Sequence, residues 1–95
     1  MFDVVINPEL TPIFDKLKSK DPEAYQNLKR KIEQVTIILE SNLNHYKNLK
    51  KPLQDYKRVH INQGFVLIFK VDKKNKRIII ADYEHHDNVY KKSHY

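Results

Sequence analysis

The chain has 95 residues, 18 basic against 12 acidic, a net charge of +6, 40% hydrophobic residues, one glycine and no cysteine. That length suits one small core, expected as a single domain over residues 1–95, and the composition excludes disulfide frameworks, thiolate zinc sites, cysteine nucleophiles and glycine-rich phosphate loops. No apolar run approaches the roughly 20 residues that cross a bilayer, and MFDVVINPEL lacks a signal-peptide pattern, so a soluble, cytoplasmic protein without membrane contact is expected.

Residues 2–6 (FDVVI) are β-rich and predict a short first strand. Asn7-Pro8-Glu9 then reads as a helix start, with Asn as cap, Pro at the first helical position and an acid in the first turn. Leu10, Ile13, Phe14 and Leu17 fall on one face of that helix. Asp21-Pro22-Glu23 repeats the signal. Behind it Tyr25, Leu28, Ile32, Val35, Ile38 and Leu39 form an apolar stripe, which predicts one long helix over 21–41. So short a connection predicts a helical hairpin.

Residues 42–55 show no period and carry Asn, Pro and Asp, so they read as a connection. Three strands are predicted after it: 56–61, 65–71 and 76–83. Asn62-Gln63-Gly64 turns the first into the second, and Asp72 to Asn75 forms a polar hairpin loop into the third. FVLIFKV and RIIIADY are nearly continuous apolar runs, as expected of central, covered strands. The order β-α-α-β-β-β predicts an α+β fold: a helical hairpin on one face of a mostly antiparallel sheet.

The charge is uneven. Residues 1–46 hold 6 basic and 7 acidic side chains, whereas residues 47–95 hold 12 and 5. A positive C-terminal half favours a polyanion or an acidic protein as partner. That half also holds four of the five histidines. A metal site drawn from His60, His85, His86 and Asp87 fits no zinc spacing, and adjacent histidines usually point apart, so neither metal nor cofactor is expected. RNA cleavage without metal suits these residue types better. It needs a base for the 2′-OH, an acid for the 5′-oxygen and cations for the phosphorane, with aromatic rings to stack bases. Lys50, Lys51, Lys57, Arg58, His60, His86 and Tyr90 are the candidates.

Three stretches resemble the second half of RelE/ParE-superfamily toxins. They are LKKPLQDYK (Leu49 to Lys57), FVLIFKV (Phe65 to Val71) and the terminal box HHDNVY (His85 to Tyr90). The element order agrees with that family's fold. The resemblance implies a toxin of a toxin–antitoxin pair that cleaves mRNA in the ribosomal A site without metal, leaving a 2′,3′-cyclic or 3′-phosphate and a 5′-OH. It implies a small antitoxin as partner, and an acidic segment of it would suit the basic half.

Residue by residue, Lys57 matches a phosphate-binding position of RelE-like toxins, while two further cationic positions of that branch are Val59 and Val66 here. The YafQ-like branch matches at His60, Phe65, Val66, His86 and Tyr90, and departs at Lys51 and Gly64. The resemblance thus implies His86 as general acid or base with His60 as its counterpart, and His85 as the alternative to His86. Lys50, Lys51, Lys57 and Arg58 would hold phosphate, Tyr90 would position the nucleotide and Phe65 would stack or pack beside it. Lys57 and Arg58 are strand neighbours and cannot share a face. The alternatives are a ParE-like inhibitor of DNA gyrase, and a non-catalytic member that binds antitoxin or nucleic acid.

Overall fold

The computed structural model describes residues 1–91; the side chains of Tyr90 and Lys91 and all of residues 92–95 lie outside the described residues. The elements are β1 (Asp3–Ile6), a 3-10 turn (Pro8–Leu10), α1 (Thr11–Lys20), α2 (Pro22–Ser41), β2 (Lys57–Ile61), β3 (Phe65–Asp72), β4 (Arg77–His85) and a terminal 3-10 helix (His86–Lys91). Both helix-start signals act as read. The Asn7 side chain accepts from the Glu9 N–H and that of Asp21 from the Ala24 N–H, with proline next in sequence each time. The first turn is 3-10, so α1 begins later than the sequence predicts.

The sheet order is β1-β4-β3-β2. β2, β3 and β4 form an antiparallel meander, and β1 adds to the free side of β4 in parallel, pairing Val4 with Ile78 and Ile6 with Ile80. β3 and β4 are therefore central, and their side chains are buried on both faces. β1 is an edge strand with all four residues exposed.

Two apolar clusters sandwich the sheet. On the helix face, Leu10, Leu28, Val35 and Leu39 meet Ile61, Leu67, Phe69, Ile78, Ile80 and Tyr83. Phe14 and Leu17 of α1 pack against this cluster, whereas Ile13 is exposed. On the other face, Val66 and Ile68 are covered by Leu49 and Leu53 of the 42–56 connection and by Val89 of the terminal 3-10 helix. The helices thus cover one face and two irregular segments cover the other.

A bulge in β4 decides which side chain joins which layer. Ile68 pairs with Asp82 but Phe69 pairs with Ile80, which leaves Ala81 extra. Strict alternation from Ile78 and Ile80 would send Asp82 and Glu84 toward the helices. The inserted residue reverses this: Tyr83 joins the helix-face cluster, and Ala81 packs against the other.

Candidate functional site

The second cluster is the scaffold around which most of the predicted site residues gather. Its cover segments are the ones that carry them: Leu49 and Leu53 bracket Lys50 and Lys51, and Val89 sits between His86 and Tyr90. Apolar burial of these three side chains pins both segments to one face of the sheet. On that face β2 presents Arg58, whose register partner is Ile68, and His60, whose partner is Val66. Both are exposed, as are Lys50 and Lys51.

His86 reaches the same end of the sheet from the other side of β3. β4 pairs His85 with Phe65, and one residue on, the His86 N–H donates to the Gly64 carbonyl at 2.8 Å. Gly64 closes the β2–β3 turn that follows Ile61. His60 and His86 thus flank that turn from β2 and from the end of β4, two strand spacings, roughly 10 Å, apart laterally. The turn needs three successive left-handed residues, Asn62, Gln63 and Gly64, with φ of 48°, 36° and 87°. Asn62 holds it to α2 and β4: its Nδ2 donates to the Ala24 carbonyl (3.0 Å) and the Tyr83 hydroxyl (3.1 Å), and its Oδ1 accepts from Asn27 Nδ2 (3.1 Å).

The histidine pair does not splay. β4 ends at His85 and the 3-10 helix begins at His86, so strand alternation no longer applies between them. Their ring centroids lie 4.6 Å apart, and His86 Nδ1 is 3.0 Å from Asp87 Oδ1. The expectation that adjacent histidines point apart is therefore corrected.

Two predicted residues, Lys57 and Phe65, stand elsewhere. Lys57 lies on the helix-face register with Phe69, and its Nζ donates to the Tyr46 carbonyl (2.9 Å) and to Asn48 Oδ1 (2.6 Å). Burial, and then the charge of Lys73, push the Lys57 ammonium below its ordinary pKa. Phe65 stacks on Tyr83 (5.0 Å between centroids, 12° between planes) and meets the His85 ring edge-on at 5.7 Å. It belongs to the helix-face packing. The Tyr90 side chain lies outside the described residues. Of the two apolar replacements, Val66 is fully buried beneath the connection and Val59 packs against the helix-face cluster. Val66 shares the face of Arg58 and His60 but is covered there, and Val59 points to the opposite face.

Sequence reasoning missed Asn62 as the anchor of the turn, and it missed Glu84. Glu84 shares its row with Val66 and His60 across three strands, and its Oε1 accepts from the His85 N–H (2.9 Å) and Asn88 Nδ2 (3.3 Å). The signal was present: Asp82 and Glu84 are two acids at strand spacing inside an apolar run.

No protein-family profile matches the chain. The chain is 46% identical over 92 residues to a protein of Methanocaldococcus jannaschii named "Putative toxin RelE4", covering 97% of this chain and 94% of that one. It is 39% identical over 90 residues to an uncharacterized protein of Methanosarcina mazei, covering 95% and 100%. Among solved structures, the YoeB/ParE toxin from Agrobacterium tumefaciens matches with a TM-score of 0.75 at 13% identity, over 90% of this chain and 99% of that one. The YoeB–YefM complex from Staphylococcus aureus matches at 0.70 and 18%, over 90% and 98%. At these identities the structural likeness speaks to the fold.

Proposed function

The chain belongs to the RelE/ParE superfamily of toxins, and on that premise we propose that it is the toxin of a toxin–antitoxin pair and cuts mRNA on the ribosome as a metal-independent endoribonuclease. The observation that carries this reading is the gathering of Arg58, His60, Lys50–Lys51 and His86 around one face and one end of the sheet.

The geometry supports the following roles. Asp87 Oδ1, 3.0 Å from His86 Nδ1, favours the proton on that nitrogen. The free Nε2 of His86 is then the base that takes the 2′-OH proton. The 2′-oxygen attacks phosphorus, and the bond to the 5′-oxygen breaks. His60, across β3, gives its proton to that oxygen. The products are a 2′,3′-cyclic phosphate and a 5′-OH. Arg58, beside His60 on the same face, and Lys51 on the connection neutralise the charge that grows on the phosphorane. Lys57 acts one step back, because its bonds to Tyr46 and Asn48 fix the start of the connection that carries Lys50 and Lys51. Tyr90, one residue past Val89 in the terminal 3-10 helix, is the candidate for positioning the nucleotide. His85 packs behind His86.

The cognate partner is an antitoxin with an acidic segment, suited to a half of the chain that carries 12 basic and 5 acidic residues. A solved neighbour of the same fold is itself described as a YoeB–YefM complex. The test compares naked mRNA with mRNA programmed on ribosomes, maps the cut positions and identifies the ends. Cuts in the A-site codon with 5′-OH ends, on ribosomes only, are expected. Intact mRNA in both arms, from protein that still binds an antitoxin, refutes the reading.

A further inference from the structure

We propose that His85, His86 and Asp87 form a transition-metal site that takes Zn2+, and that its occupation stops the cleavage proposed above. The second part rests on the nuclease reading; the first does not.

Three consecutive residues supply two imidazoles and a carboxylate, and one donor atom from each lies within 4.8 Å of the other two. His85 Nδ1 is 3.5 Å from Asp87 Oδ2, and His86 Nδ1 is 3.0 Å from Asp87 Oδ1. Zinc bonds of about 2.0–2.2 Å in a tetrahedron put neighbouring ligand atoms roughly 3.4 Å apart. Each ring nitrogen is therefore near the required spacing from one of the two Asp87 oxygens, and with all three donors within 4.8 Å, small side-chain rotations bring both rings and a single carboxylate oxygen onto one ion.

The backbone explains why these donors converge. The His86 N–H is tied to the Gly64 carbonyl, β4 ends at His85, and past the strand end the two rings meet 4.6 Å apart. His85 is supported from behind. A Cβ on Gly64 would stand 3.0 Å from His85 Nε2, and Phe65 meets the same ring edge-on. With Nε2 against Gly64, Nδ1 faces Asp87, and there it accepts the Asp87 N–H only at 3.3 Å. An ion would take that lone pair in place of this long hydrogen bond. The His85 and His86 side chains are 39% and 42% exposed, so an ion reaches them from solvent.

The donor set favours a transition metal such as zinc over calcium or magnesium. Two imidazoles with one carboxylate suit zinc, whereas calcium and magnesium prefer oxygen ligands. Three protein ligands leave the fourth position to water. Zinc on His86 Nδ1 forces the ring proton to Nε2. That nitrogen then has no lone pair to accept the 2′-OH proton, so the base is lost.

Calorimetric titration of the full chain with ZnCl2, alongside imidazole 15N spectra, tests the site without any cleavage assay. One ion per chain is expected, with shifts at Nδ1 of His85 and His86. Affinity should fall at least tenfold in His85→Ala, His86→Ala and Asp87→Asn, and stay unchanged in His45→Ala. No saturable binding, or binding that Asp87→Asn spares and His45→Ala removes, overturns the site. In the ribosome assay, micromolar zinc should suppress wild-type cleavage at least tenfold and a chelator should restore it. Zinc bound one to one with cleavage unchanged or faster overturns the inhibitory role alone. A chain that cuts nothing without zinc overturns the nuclease reading and the inhibitory role with it, while the calorimetry still decides the site.

Discussion

Asn62→Ala tests the turn on which the His60–His86 arrangement depends. The substitution removes three hydrogen bonds: to the Ala24 carbonyl, to the Tyr83 hydroxyl and from Asn27. Each is worth about 1 kcal/mol net. It also leaves alanine at φ 48°, where a residue without a short polar side chain loses about 1 kcal/mol more. The expected loss is about 3–4 kcal/mol, a large share of the roughly 5–15 kcal/mol that holds a domain of this size. The melting temperature should fall by about 15–25 °C. Asn62→Gly separates the two contributions: glycine adopts the left-handed turn freely but makes none of the bonds, so its loss should be about 1 kcal/mol smaller. Urea unfolding followed by far-UV circular dichroism measures both. A loss under about 1 kcal/mol in Asn62→Ala, or equal losses in the two variants, would mean that the turn is held by something other than this side chain.

Two pH effects follow from shifted groups. Burial raises the Tyr83 phenol above its ordinary 10.0, with the Asn62 hydrogen bond opposing and the charge of Asp21 reinforcing. Its contribution to stability is complete below pH 10 and is lost as pH rises from there through the folded-state value. Tyr83→Phe should flatten this alkaline loss in part, since burial raises Tyr46 as well; urea midpoints from pH 9 to 11 check it. The Asp72 carboxyl is held below its ordinary 3.8 chiefly by the side-chain hydrogen bond from Asn75, then by the Asn75 backbone N–H. Its contribution is present above pH 3.8 and lost as pH falls through the folded value, and Asn75→Ala should move the carboxyl's NMR titration back up.

Much of the architecture was legible because single residues signal it locally. Asn7-Pro8 and Asp21-Pro22 mark helix starts by capping chemistry, and the structure uses both caps. The apolar runs in β3 and β4 mark strands covered on both faces. The parallel pairing of β1 with β4 was not legible, since it joins residues more than seventy positions apart and leaves no periodic trace. The bulge at Ala81 was equally hidden. Nothing in RIIIADYEH tells which residue is extra, yet it decides that Tyr83 faces the helices. Lys57 and Arg58 were rightly separated by strand alternation, but the contacts that occupy Lys57 depend on how residues 46–48 fold back. The convergence of His85 with His86 follows from where the strand stops, which the residue string alone does not reveal.

The central claim is that histidines on either side of the β2–β3 turn act as base and acid on one phosphodiester. The direct measurement is the rate of A-site mRNA cleavage on programmed ribosomes for the wild type, His60→Ala and His86→Ala, each first shown to be folded. General acid–base catalysis is worth about 10²–10⁴-fold, so each variant should lose at least about a hundredfold while still binding the ribosome. Wild-type cleavage that survives both substitutions within a few-fold would contradict the assignment and place the proton transfers on other groups.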